Sequence, residues 1–238
     1  MRKPLPAALA LCAAALALSA CDRVSDDAFG DRVRAYLLEH PEVIEEAVQK
    51  LNEKREAEAA QAATAALSEY RDELERDPRD FVANPDGDVT VVEFFDYRCG
   101  YCKLIAPEVQ KLIEANPNVR FVFKEFPIFG EQSNETAAVM LTDQVKPKTL
   151  ALHERLMAEK SLDDAALDRH LRAVGVDPAA ARQAAKSPDI DQQIVDTHEL
   201  ASNLGINGTP AFVVGDRIIS GADLEALKAA IAEAKAGA

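Results

Sequence analysis

The sequence has no tryptophan, few cysteines and a deficit of basic residues. Its 27 lysines and arginines stand against 41 aspartates and glutamates, and the formal net charge of −14 argues against nucleic acid as a partner. The 238 residues contain only four cysteines, which are too few for a fold held together by disulfides. The length suffices for one domain with appendages or for two small domains.

A strongly apolar segment lies at the N-terminus, from Leu5 to Ala20. It follows the basic residues Arg2 and Lys3, and it is shorter than the roughly 20 residues, with matching flanks, that cross a bilayer. A positive segment followed by a short apolar one is typical of a secretory signal. Residues 1–20 are therefore predicted to be a signal peptide, and the mature chain is expected in the periplasm.

The signal ends in Leu18-Ser19-Ala20-Cys21, which resembles the bacterial lipobox, in which the cysteine is lipidated and becomes the first residue. We therefore predict lipidation of Cys21 and attachment to a membrane through the lipid. Asp22 resembles the inner-membrane retention signal of Gram-negative lipoproteins. The alternative is an ordinary signal peptide cleaved after Ser19, which leaves a soluble periplasmic protein with an unmodified Cys21 thiol.

Two cysteines remain once the N-terminal ones are set aside. Cys12 leaves with the signal peptide and Cys21 is predicted to be acylated, so Cys99 and Cys102 form a lone Cys-x-x-Cys pair. An exported protein that keeps one such pair in an oxidising compartment is not using its cysteines as a scaffold. The pair is therefore the candidate working part of the protein. No cofactor is predicted beyond the disulfide that the pair forms.

The pair follows a predicted strand and opens a predicted helix. Val89 to Phe95 is an almost unbroken β-branched and aromatic run, typical of a strand covered on both faces. Apolar residues then recur at helical spacing from Leu104 to Ile113, which predicts a helix beginning at Cys99. Unpaired amides and the helix dipole favour an anion there, so a thiol at that position ionises more readily than a free one. The pattern predicts a reversible two-electron redox switch.

Residues 21–80 are predicted to form an N-terminal helical extension. A short helix is followed by a longer one that begins near Pro41, a residue suited to the first helical position. The longer helix carries an apolar stripe at helical spacing, formed by Ile44, Val48 and Leu51. Alanine, glutamate and glutamine then dominate over 52–66. The extension is either a solvated linker or an oligomerisation stalk whose stripe packs against other copies.

A turn signal at 84–88 marks the start of the main domain, which is predicted to cover 85–236. Residues 119–126 alternate and predict a second strand, so that strand, helix and strand form a βαβ unit with a parallel pair. Helical patterns over about 131–204 predict an inserted helical domain. Two short apolar runs around Gly215-Asp216 then predict a β-hairpin before the last helix.

Four features together resemble one known family. They are the strand Glu93-Phe94-Phe95, the pair Cys99-Gly100-Tyr101-Cys102, the helical insertion, and Gly208-Thr209-Pro210 before the hairpin. On these residues the chain resembles the DsbA family of thiol-disulfide oxidoreductases over about 85–236. The resemblance implies an α/β thioredoxin fold with an inserted helical domain, here preceded by the helical extension. The extension and the stretch Phe-Lys-Glu-Phe-Pro at 123–127 bring the chain closer to the ScsC-like copper-sensitivity suppressor branch.

The resemblance assigns roles to the residues of these motifs. Cys99 is the expected nucleophile, since it also lies nearer the helix N-terminus, and Cys102 is the resolving thiol. Glu93 matches the buried carboxylate that accepts the proton of the resolving thiol, whereas the sequence by itself also allows an exposed strand residue. Thr209 and Pro210 match the loop whose cis peptide bond lies against the active-site disulfide.

Two further interpretations concern charge and metal. Lys124, on the second strand, is a candidate partner for Glu93, and the alternative is a solvated lysine. The Cys-x-x-Cys pair resembles half a zinc site, but zinc usually needs four ligands and the sequence has no second cysteine pair. The histidines show no ligand spacing: His40, His153, His170 and His198. No metal site is therefore predicted.

The resemblance to the ScsC-like branch implies that the protein is a trimeric disulfide isomerase. The leading hypothesis is a membrane-tethered periplasmic isomerase or reductase that exchanges disulfides with exported cysteine-containing proteins and is kept reduced by a membrane redox partner. The first alternative is a monomeric DsbA-like dithiol oxidase. The second, from another class, is a lipoprotein adaptor whose thiols bind copper.

Overall fold

The computed structural model describes residues 26–237, with side chains described from residue 28. The predicted signal peptide and the predicted lipidation site at Cys21 lie outside these residues. The described residues divide into two compact units, with the division between Ala59 and Ala60. Within the described range, no helix combines the length and the apolar character that a bilayer span requires.

The extension contains the two predicted helices. Helix α1 spans Asp26–Glu39 and helix α2 spans Glu42–Glu69. Exposed lysine–glutamate pairs, such as Lys50 with Glu53 at 2.7 Å, lie along α2 and add modest helical stability. Large apolar side chains are nevertheless exposed on both helices: Phe29, Val33, Tyr36, Leu38, Ile44, Val48 and Leu51.

The second unit begins earlier than residue 80, where the sequence patterns place the end of the extension. Leu67 near the end of α2 and Leu74 in the short helix α3, Arg71–Glu75, have no exposed surface. Both leucines belong to a core cluster with strand residues such as Phe94. Residues 60–80 are therefore grouped with the second unit, because these two leucines bury their side chains in it.

Five strands form one sheet in the order β1-β3-β2-β4-β5. The strands are β1 Phe81–Ala83, β2 Val89–Phe95, β3 Val119–Glu125, β4 Ala211–Val214 and β5 Arg217–Ser220. Helix α4, Gly100–Ala115, connects β2 to the parallel strand β3, and β4 with β5 forms the predicted antiparallel hairpin. Strand β1 was not predicted, because three residues are too few to show an alternating pattern.

The central strands β2 and β3 are covered on both faces, which explains the almost unbroken apolar sequence of β2. Phe95 and Phe121 belong to the cluster that includes Cys102 of α4. Phe94 and Val122, which point to the opposite face, belong to the cluster that includes Leu67. The sheet therefore holds α4, and the cysteines at its start, against one face only.

Six helical segments follow β3, and one helix follows β5. They are α5 Glu131–Met140, a 3₁₀ turn Lys146–Lys148, α6 Thr149–Ala158, α7 Asp164–Ala173, α8 Pro178–Ala184, α9 Pro188–Asn203 and, at the C-terminal end, α10 Leu224–Gly237. Asp163, Asp177 and Ser187 cap helices α7, α8 and α9 through their side chains. The insertion between β3 and β4 is thus helical, as the sequence patterns indicate.

Lys124 does not pair with Glu93. Lys124 lies beside Phe94 in the β2–β3 register, and successive strand residues point to opposite faces, so Lys124 and Glu93 lie on different sides of the sheet. Lys124 Nζ instead lies 2.5 Å from Asp80 Oδ2 and donates a hydrogen bond of 2.6 Å to the carbonyl oxygen of Glu73. The buried lysine therefore satisfies its charge on the face away from α4.

Candidate active site

The thiol pair lies at the N-terminus of α4. Cys99 is the N-cap residue, with φ −71° and ψ 119°, and Cys102 lies in the first turn. The Cys102 amide donates to Cys99 Sγ at 3.4 Å, so the sulfur takes the place of the oxygen that usually caps a helix. Both cysteines are free thiols and both are buried, with Cys99 2% exposed. One of the amides at the start of the helix therefore donates to the Cys99 sulfur.

The second element of the site is the loop before β4. The Thr209–Pro210 peptide bond is cis, as the family resemblance implies. Cys99 Sγ donates to the carbonyl oxygen of Thr209 at 3.2 Å, which joins segments 110 residues apart in sequence. The Gly221 amide donates to the carbonyl oxygen of Pro210 at 2.8 Å and holds the loop against the end of β5. The fold thus brings Cys99, Cys102 and the proline loop into one site.

Glu93 lies in β2 and is 2% exposed, so it is not the solvated strand residue that the sequence also allows. Its Oε2 has no hydrogen-bond partner among residues 26–237. Burial raises the pKa of Glu93 to about 8. Burial is also the main cause that raises the pKa of Cys102, and the Glu93 charge raises that pKa further. Burial therefore favours the protonated form of both the Glu93 carboxyl and the Cys102 thiol.

Asp96 is a site residue that the sequence analysis missed. Its buried carboxylate accepts four hydrogen bonds, from the amides of Arg98 (2.7 Å), Ile128 (2.8 Å) and Phe129 (3.2 Å) and from the hydroxyl of Ser133 (2.9 Å). Its carbonyl oxygen accepts from the Cys99 amide at 3.1 Å. One side chain thus fixes the turn before Cys99 to the loop that opens the helical insertion. The only sequence signal was an acidic residue directly after a buried strand.

Replacing Asp96 with asparagine is expected to lower the free energy of unfolding by about 2 kcal/mol, because an amide nitrogen cannot accept the hydrogen bonds that one carboxylate oxygen accepts. Urea unfolding measures the loss, and faster hydrogen exchange at Ile128 and Phe129 locates it. Asp143→Asn is the matched control, since that side chain is 97% exposed, and its effect should stay within about 0.5 kcal/mol. Equal effects of the two substitutions would contradict the role of Asp96.

A second buried pair ties the end of β2 to the insertion. The Tyr97 hydroxyl and His153 Nδ1 lie 3.2 Å apart, and both residues are buried. Burial lowers the pKa of His153 to about 3, so its ring is neutral at physiological pH. Burial is also the main cause that raises the pKa of Tyr97, and the Glu125 charge adds to it. Within the described residues, no group of three His, Cys, Asp or Glu side chains is arranged to hold a metal ion.

Three features together define a thioredoxin-type redox site. They are a dithiol at the start of the helix after a central strand, a cis-proline loop against that dithiol, and a buried carboxyl in the same strand. The profile described as "DSBA-like thioredoxin domain" matches residues 90–232. The chain belongs to this DsbA-like family of thiol-disulfide oxidoreductases. A second profile, described as "Copper resistance protein ScsC N-terminal domain", matches residues 27–58 of the extension.

Solved structures with the same fold support both assignments. A thioredoxin-like oxidoreductase from Silicibacter pomeroyi is 40% identical, with a TM-score of 0.67 over 71% of this chain and 99% of that chain. BcfH from Salmonella enterica Typhimurium is 31% identical, with a TM-score of 0.72 over 97% of this chain and 100% of that chain. Proteus mirabilis ScsC in a transitional conformation is 31% identical, with a TM-score of 0.66 over 90% and 100%. These matches confirm the predicted thioredoxin fold and the resemblance to the ScsC-like branch.

The curated relatives are longer than the matched part of this chain. The chain spans 25% of the Na⁺/H⁺ antiporter NhaA 1 of Salinispora arenicola, with 28% identity over 164 residues. It spans 66% of the thiol:disulfide interchange protein DsbA of Bordetella pertussis, with 30% identity over 142 residues and 56% of this chain covered.

Proposed function

We propose that this protein is a periplasmic thiol-disulfide oxidoreductase that exchanges disulfides with exported cysteine-containing proteins, acting as an isomerase or reductase. The observation that carries the proposal is the position of Cys99 Sγ. The sulfur lies 3.4 Å from an amide at the start of α4 and 3.2 Å from the carbonyl oxygen of the residue before Pro210. The first contact supplies a backbone hydrogen-bond donor to the sulfur, and the second places the sulfur beside a backbone edge that an extended substrate can pair with.

The exchange begins when the Cys99 thiolate attacks a substrate disulfide. A bond forms between Cys99 and one substrate sulfur, and the other substrate sulfur leaves as a thiolate. Cys102 then attacks Cys99, which releases the second substrate thiol and leaves a Cys99–Cys102 disulfide. Glu93 accepts the proton that Cys102 loses when its carboxyl is ionised, the form that predominates above its pKa of about 8. A membrane redox partner supplies two electrons and returns the pair to the dithiol.

Isomerisation uses only the first half of this reaction. A thiol of the substrate itself attacks the mixed disulfide, so Cys99 is released as a thiolate and the pair stays reduced. The proposed location rests on the sequence: residues 1–20 act as the signal and the lipid on Cys21 holds the protein on the periplasmic side of the inner membrane. Mass spectrometry of the mature N-terminus distinguishes this from a soluble periplasmic form with an unmodified thiol.

We further propose that the extension assembles the protein into a homotrimer. Seven large apolar side chains of α1 and α2 are exposed. The exposed fraction is smallest for Val33, at 40%, and largest for Leu38, at 69%. An apolar surface of this extent marks an interaction site. The ScsC N-terminal profile matches the same segment, 27–58. Several dithiols on one assembly suit an isomerase, because a substrate released by one site is captured by the next.

Replacing both Ile44 and Val48 with aspartate is expected to convert a trimer into a monomer, because two charges then occupy the apolar stripe. Light scattering measures the mass. Refolding of scrambled ribonuclease should fall about tenfold with the loss of multivalency, whereas reduction of a small-molecule disulfide by the Cys99 site should change less than about twofold.

The control for this experiment is Ala57→Asp, which introduces a single aspartate on the opposite face of α2. It should leave both the mass and the ribonuclease activity unchanged. If the wild-type protein is already a monomer, the proposed trimer is excluded and the alternative of a monomeric dithiol oxidase is favoured.

A further inference from the structure

A cavity of about 350 Å³ lies between α4 and α6, apart from the thiol site. Its lining is mainly apolar and includes Ala106, Val109, Ile113, Phe123 and Met157, together with His153. The volume lies within the range of small-molecule sites, which are apolar clefts with a few well-placed polar groups. We propose that this cavity binds a phenol or a similar aryl alcohol whose hydroxyl group meets His153.

His153 supplies the polar anchor of the cavity. The residue is 6% exposed, and its Nδ1 is occupied by the Tyr97 hydroxyl at 3.2 Å. In the part of the chain that the structure describes, Nε2 has no hydrogen-bond partner, although the side chain lines the cavity. The tautomer set by Tyr97 makes Nε2 either a donor or an acceptor, and a hydroxyl group can satisfy both. An alcohol therefore fits the anchor in either protonation pattern of the pair.

The walls favour a neutral aromatic ring. The His153 ring stacks edge-on with the rings of Phe95 and Phe123, with both centroids 5.0 Å away. Met157 adds a thioether, a group that packs favourably against aromatic rings. An aryl group therefore finds better contacts here than a charged or strongly polar molecule does.

The lysines at the cavity are already engaged, which argues against a carboxylate ligand. Lys103 Nζ donates to the carbonyl oxygen of Leu156 at 3.2 Å and also to that of Glu159. Lys111 pairs with Glu108 at 2.7 Å. To compensate its lost hydration, an acid would have to draw Lys103 from these carbonyl oxygens or Lys111 from Glu108, which is costly. An alcohol carries no such penalty.

The test uses the full chain with ¹³C-methyl methionine, because Met140 and Met157 are the only methionines in 26–237. 4-Methylphenol should shift the Met157 methyl resonance in a saturable way and leave Met140 nearly unchanged, since Met140 is buried but does not line the cavity. Toluene, which lacks the hydroxyl, should bind about tenfold more weakly, the value of one hydrogen bond. Ala106→Leu, which fills the cavity, should weaken both ligands about tenfold or more.

The variant His153→Phe separates the contribution of the His153 hydrogen bond to ligand affinity from that of the apolar cavity. In this variant, 4-methylphenol and toluene should bind with affinities within about twofold of each other, because the polar contact is gone. Cys99→Ser should bind both ligands like the wild type, so the site is tested independently of the proposed redox function. Equal affinity of the wild type for the two ligands overturns the role of His153. Absence of a saturable Met157 shift, or insensitivity to Ala106→Leu, overturns the site itself.

Discussion

Replacing Cys99 with serine is expected to abolish disulfide exchange, with a loss on the order of 10³-fold or more, as for removal of other catalytic nucleophiles. A serine hydroxyl does not ionise at neutral pH and cannot form the mixed disulfide through which the reaction passes. The measurements are the reactivation of scrambled ribonuclease and the reduction of a small disulfide. Both should fail, because both need the same sulfur at the start of α4.

Cys102→Ser is the informative partner of this variant. It keeps the nucleophile at the N-cap but removes the thiol that resolves the mixed disulfide, so a covalent complex with substrate should accumulate and be visible on a non-reducing gel. Accumulation in Cys99→Ser instead would reverse the two roles. Equal ribonuclease activity of wild type and Cys99→Ser would exclude the enzyme function and leave the copper-binding adaptor as the hypothesis to test.

The elements nearest the thiols could be predicted from the sequence because their signals are local. The β-branched run gave strand β2 with the same limits, Val89–Phe95, and the change to helical spacing placed the start of α4 at the first cysteine. Because β2 is buried on both faces, its sequence does not alternate between polar and apolar residues, and this almost unbroken apolar pattern indicates a central strand. By contrast, the three residues of β1 contain no pattern to detect.

Long-range contacts could not be predicted in this way. The partner of Lys124 depends on which face of the sheet the side chain points to, and that follows from the strand register and from the fold of residues 60–80. Three of the four hydrogen-bond partners of the Asp96 carboxylate lie more than 30 residues downstream, and Tyr97 meets His153 across 56 positions. The approach of the Thr209 loop to Cys99 was available only through the family resemblance.

Replacing Glu93 with glutamine is expected to stabilise the protein at neutral and alkaline pH. The pKa of the buried carboxyl is raised to about 8, whereas an unfolded glutamate titrates near 4.3. The folded state therefore holds a proton that the unfolded state releases between these values, so wild-type stability falls as pH rises from about 4.5 to about 8 and levels off above that. Glutamine carries no such proton. The variant should gain roughly 4 kcal/mol at pH 8 and less than about 0.5 kcal/mol at pH 4.

Urea unfolding of the reduced wild type and variant from pH 4 to pH 9 measures this difference. The exposed Glu135 provides the control, since Glu135→Gln should change stability by less than about 0.5 kcal/mol at every pH. Above the Glu93 pKa of about 8, where the wild-type carboxyl is mostly ionised, the same Glu93→Gln variant should slow the second step of exchange by about 10²-fold, because Cys102 loses its proton acceptor. If Glu93 is a buried acid that serves catalysis, the variant should be more stable but slower than the wild type. Replacing a purely structural residue would not produce a gain in stability together with a loss of rate. A stability difference that does not vary with pH would show that Glu93 is not held as a buried, protonated carboxyl.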